Sequence, residues 1–118
     1  MELKDICDTQ RGLANACGNQ ALYHQLLQAF IKEYHDKTRD LETMIESEQN
    51  REAKHFAHTI KGVANTLGFI ELSDISDSLQ SALNENDIPL IRRLAPHFCN
   101  QLEEAVSAVK AANFDNTL

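Results

Sequence analysis

This chain of 118 residues has no tryptophan, four glycines, two prolines and two tyrosines. So few chain breakers argue against many short strands joined by tight turns, and for long helices. Bases are also scarce: 11 Lys and Arg stand against 18 Asp and Glu, for a net charge of −7. That balance argues against a nucleic-acid binder, which needs a basic footprint, and against an anionic membrane surface. No run approaches the roughly 18 consecutive apolar residues of a membrane span. The start, Met1-Glu2-Leu3-Lys4-Asp5, is charged and lacks the apolar stretch of a signal peptide. The three cysteines, Cys7, Cys17 and Cys99, form no C-x-x-C pair. An odd, scattered set reads as reduced thiols in the cytoplasm, serving as small core-filling residues.

What is present is helical periodicity. The length suits one domain, 1–118, with a packed core over about 8–112. Residues 8–17 form a short helix, with Asp8 as N-cap and Gly18 as its stop. Asn19 caps a long helix running to about Glu46. Its stripe is Leu22, Tyr23, Leu26, Leu27, Phe30, Tyr34, Leu41, Met44 and Ile45, interrupted by Lys37. A polar turn follows, with Asn50 as cap of a helix that ends at Leu67 before a left-handed Gly68. Ser73 caps a fourth helix, with Ile75, Leu79, Ala82 and Leu83 inward, and residues 84–87 turn. Asp87 caps the last helix, with Pro89 in its first turn. Its stripe runs from Leu90 to Val109, Pro96 kinks it around Arg92–Ala95, and Asn113–Leu118 fray. These elements predict an all-α fold: an antiparallel, up-down-up-down four-helix bundle with a short additional N-terminal helix.

On a wheel of residues 51–67, Arg51, Lys54, His55, Lys61, Gly62 and Asn65 fall within roughly 60° of His58. The apolar residues lie opposite. An ordinary solvated face would satisfy this periodicity, but three details point beyond it. Lys54 at i−4 and Lys61 at i+3 bring two ammonium groups toward the imidazole. Gly62 at i+4 clears space beside the ring, at about 1 kcal/mol of helix propensity relative to Ala. An acidic chain, short of bases, has gathered Arg51, Lys54 and Lys61 on this one face. A free imidazole titrates near about pH 6.5, so near neutrality an exposed ring offers a nucleophilic nitrogen. Neighbouring cations disfavour the imidazolium, and after phosphoryl transfer they offset the new negative charge.

The run Ala57-His58-Thr59-Ile60-Lys61-Gly62-Val63-Ala64, with Leu67-Gly68 closing the helix, resembles the signature of histidine-containing phosphotransfer domains of bacterial phosphorelays. The stripe from Leu22 to Tyr34 is similar to the family's preceding helix, and Leu72–Leu83 to the following one. The resemblance spans roughly residues 8–112. It implies that His58 carries a phosphoryl between the aspartates of two receiver domains, one in a hybrid kinase and one in a response regulator. Lys61 and Gly62 match positions beside the histidine. Lys54 supports the phosphoryl, and Gln80 on the next helix holds the other ring nitrogen. The docking face then includes Arg51, His55, Asn65 and Leu13. The resemblance implies a monomeric carrier with no ATP site and no cofactor of its own, Mg²⁺ belonging to the receiver. It also implies that a parent hybrid sensor kinase, of which this would be a fragment, could be anchored in the inner membrane.

His55 and His58 lack the further ligands of a strong metal site, so no metal is expected. His24 and His35 read as surface residues, and His97 as helix-surface or packing. No Gly-rich phosphate loop or kinase motif is present. The competing function is a helical interaction module that docks a partner without phosphate chemistry.

Overall fold

In a computed structural model, residues 2–112 are described, and every regular element among them is a helix. In chain order these are α1 (Leu3–Ile6), α2 (Thr9–Asn15), α3 (Gln20–Tyr34), α4 (Thr38–Glu46), α5 (Asn50–Leu67), α6 (Ile70–Glu85) and α7 (Ile88–Ala111). They pack lengthwise into a body of 45 × 22 × 22 Å. Asp8, Asn19 and Asp87 cap α2, α3 and α7, their side chains accepting from the N–H groups of Arg11, Leu22 and Leu90. Gly68 ends α5 at φ 103°, which a side chain would resist.

Several boundaries differ from the sequence expectation. The helix expected from Asn19 to Glu46 is two helices, broken at 35–37. An unbroken helix would carry Lys37 into the apolar stripe. The break instead leaves its ammonium half-exposed, 3.8 Å from Asp40. Ser73 does not cap α6, which starts three residues earlier with Phe69 at the N-cap. Ser73 is buried, and its hydroxyl donates to the Lys61 carbonyl at 3.2 Å, tying α6 to α5. Asn50 is the first residue of α5, and Gln49 is its N-cap. α7 continues through Pro96, which is exposed at the surface. The tail expected to fray, Asn113–Leu118, lies outside the described residues.

The inward face of α3 is in part the expected one. Tyr23, Leu27 and Phe30 are buried, with His24 beside them, whereas Leu22 and Leu26 are 39% and 38% exposed. His24 is therefore interior, not on the surface. At Tyr23 the inward side is set by α2, whose Gly12 lies against the Tyr23 ring. There the Tyr23 hydroxyl donates to the Leu67 carbonyl at 2.8 Å and lies 3.3 Å from Cys7 Sγ. The packed core starts before residue 8, because Cys7 is buried and Leu3 and Ile6 rest against the core. Cys99 is buried as well, but Cys17 is exposed at φ 59° and fills no core. Burial pushes the Cys7 thiol up, and pushes Cys99 up to about 12, helped there by Glu42 and Glu103.

The centre is built on α5. Ala53, Ala57, Ile60, Ala64 and Leu67 are all buried, at alternating steps of four and three. That spacing is a single seam on a helix of about 3.6 residues per turn. Three of the five are alanine, which admits a close neighbour. α6 answers with Leu72, Ser76, Leu79, Ala82 and Leu83. Aromatic rings close the far side: Phe30 stacks on Phe69 at 5.4 Å, and Phe56 meets Phe98 edge-on at 6.1 Å.

Candidate functional site

Each polar residue of interest on α5 follows a buried one by a single position. Lys54, His58, Lys61 and Asn65 come one after Ala53, Ala57, Ile60 and Ala64. A step of one residue turns about 100° round the helix, so these four form a row along the edge of the buried seam. Three of them face α6. Lys54 Nζ donates to Asn84 Oδ1 at 3.2 Å, His58 Nδ1 lies 3.2 Å from Gln80 Nε2, and Lys61 Nζ donates to Asp77 Oδ1 at 2.8 Å. Residue numbers rise on α5 as they fall on α6, so the two helices run antiparallel. Asn65, at the end of the row, accepts from Arg11 Nη2 of α2 at 2.7 Å.

On its other side His58 borders the seam between α3 and α5. An open, mainly apolar groove of about 580 Å³ lies there, lined by Leu26, Ala29, Phe30, His58, Gly62 and Val63. A side chain added at Gly62 would meet nothing within 4 Å. The position is empty space beside the imidazole, so the bundle's own packing does not require glycine there. A second groove of about 660 Å³ continues past Tyr34 and Thr59, along Lys37, Met44, Arg51, His55 and Phe56. His58 itself is exposed. It stands on a rigid helix between a polar row and an apolar groove.

The structure therefore divides the residues that the wheel placed together. Lys54, Lys61 and Gln80 lie with His58 along the α5–α6 edge, and both ammonium groups are directed to α6 acceptors. Gly62 opens toward the α3 groove. Arg51 and His55 belong to the second groove, and Asn65 is engaged by α2. Leu13 is half-buried against the core. Sequence reasoning missed Asp77 and Asn84, whose spacing on α6 mirrors Lys61 and Lys54 around the His58–Gln80 pair. It also missed that Leu22 and Leu26 are exposed, because it assigned them to the core. Among the described residues no group of three or more His, Cys, Asp or Glu could hold a metal ion. No helix among them is long and apolar enough to cross a membrane.

The His58 imidazole is thus exposed, with Nδ1 beside Gln80 and open space at its flank. Comparison with known proteins bears on the family. The Hpt domain model matches residues 25–112, which takes in most of α3 and all of α4 to α7. No curated protein and no solved structure gives a significant match. The match spans well over half the chain, and with it the chain belongs to the Hpt domain family, the phosphocarriers of phosphorelays.

Proposed function

We propose that His58 is the phosphoryl carrier, taking the group from the aspartate of one receiver domain and passing it to that of another. The observation that carries this reading is the position of His58: exposed, with Nδ1 against Gln80 and the empty space of Gly62 at its flank. With Nδ1 engaged, Nε2 is the nucleophile. Its lone pair forms the P–N bond, the acyl phosphate P–O bond breaks, and the aspartate leaves as carboxylate with the electron pair. Nε2 holds that lone pair only when the ring proton is on Nδ1. Gln80 then accepts the proton's hydrogen bond through its amide oxygen, which a half-turn of the amide brings into place. Lys54 and Lys61 flank the site and offset the charge of the phosphoryl, about −1.5 to −2 near neutrality.

The domain supplies a rigid post, its four arms (α3 with α4, then α5, α6 and α7) in up-down-up-down order. The receiver supplies the acidic pocket and any Mg²⁺, in the cytoplasm, where response regulators act. It docks over Leu22, Leu26, Ala29 and the groove beside His58, with Arg51 and His55 further along. Asn65 and Leu13 lie at the α2 end of this face. Contacts of this type are modest in area and transient.

The test uses a receiver labelled on its aspartate with radioactive phosphate. Transfer to this chain should leave an acid-labile, alkali-stable label that is lost in His58→Gln. Equal labelling of His58→Gln refutes the assignment. Receiver binding with no transfer to the natural chain would favour an interaction module without phosphate chemistry.

A further inference from the structure

The two lysines beside His58 are held differently. Lys54 donates to a neutral acceptor, Asn84. Lys61 is paired at 2.8 Å with a carboxylate, Asp77, and both side chains are about half exposed, at 42% and 58%. Asp77 lies three residues before Gln80, the residue that touches the imidazole. On α5, Lys61 lies three residues after His58, so neighbouring turns of both helices carry the two pairs.

A phosphoryl on His58 brings up to two negative charges within reach of Lys61. The ammonium cannot serve it fully while committed to Asp77, and the carboxylate adds like-charge repulsion if it stays close. We propose that Asp77 is a positioning residue that sets how tightly the domain holds its phosphoryl. It captures Lys61 while His58 is bare and competes for it once the phosphoryl arrives. Phosphohistidine is thereby kept less stable than the neighbouring cations would make it, which suits a carrier that must hand the group on. This inference rests on His58 being the carrier.

The test is the equilibrium partition of labelled phosphate between this chain and a receiver domain that exchanges with it. Asp77→Asn should raise the phosphohistidine share about two- to five-fold, the scale of one exposed ion pair. Asp77→Glu should restore the natural partition. Asn84→Asp, a second carboxylate latch facing Lys54, should lower the share by a similar factor. In a Lys61→Ala background, Asp77→Asn should bring little further change. An unchanged partition in Asp77→Asn overturns the proposal. So does a gain of the same size without Lys61, since that would be repulsion alone and not competition. Circular dichroism of each variant verifies the fold. Label absent from the natural chain, or retained by His58→Gln, overturns the carrier reading and this proposal with it.

Discussion

Gly62 permits a sharp separation of stability from function. It lies inside α5, twelve residues after the first residue and five before the last. A glycine in a helix interior costs about 0.8–1 kcal/mol relative to alanine. An added Cβ would meet nothing within 4 Å, so no steric term opposes the gain. Gly62→Ala should therefore stabilise the bundle by nearly that amount. With an unfolding entropy of about 2.1 cal/mol/K per residue over the chain, Tm should rise by about 3–4 °C. Gly62→Gln should be stabilised similarly but fill the space beside His58. Displacing a docked aspartyl phosphate by about 1 Å would slow transfer on the order of a hundredfold. Thermal melts by circular dichroism read the first effect, and single-turnover transfer from a labelled receiver reads the second. Gly12 is the control: a Cβ there would stand against the Leu67 carbonyl and the Tyr23 ring, so Gly12→Ala should lower Tm. A melting temperature unchanged or lowered in Gly62→Ala would refute the steric argument. Undiminished transfer in Gly62→Gln would refute the use of that space by a partner.

Leu26→Asp should weaken receiver binding by about tenfold while leaving the fold intact, since Leu26 is already 38% exposed; titration calorimetry and a thermal melt check both parts. Tyr23→Phe should cost about 1 kcal/mol in urea unfolding, because Cys7 Sγ at 3.3 Å still reaches the Leu67 carbonyl; a loss above about 3 kcal/mol would mean the clamp acts as one unit. The chain should lose stability at alkaline pH. The Cys99 thiol lies at about 12 when folded against a reference of 9.0, so its contribution is whole below about pH 9 and disappears as pH rises toward 12. Cys99→Ala should show a shallower fall in the urea midpoint between pH 8 and pH 10.5, and an equal fall would remove Cys99 as a cause.

Local rules carried much of the fold. Asp8, Asn19 and Asp87 cap helices because their side-chain oxygens reach a free N–H within three residues, and Gly68 stops α5 because only its own φ matters. The misreadings arose where a distant element decides. That Leu22 and Leu26 face outward while His24 is buried depends on what packs against α3, and periodicity within α3 holds no trace of it. Lys37 was visible as a fault in the stripe, yet whether the helix would bend, break or let the stem reach outward depended on its neighbours. At the candidate site, the nearness of His58, Lys61 and Gly62 was legible because they share one helix. Asp77 and Asn84 were not, because their significance requires the register of α6 against α5. A signal was present: polar residues at 77, 80 and 84 repeat in reverse order the steps of 61, 58 and 54. An antiparallel pair of helices can match two such rows.

The offset of one residue between the buried seam of α5 and its polar row has a consequence for how a signal is passed. The row cannot rotate toward or away from a visitor without dragging Ala57 and Ile60 out of a close-packed interior. On the carrier reading proposed above, the backbone that bears His58 is thus the same before and after loading, and only side chains such as Lys61 and Gln80 change partner. On that reading, whatever distinguishes sender from recipient lies in the visitors and in the charge they meet, not in a change of shape of the domain they share.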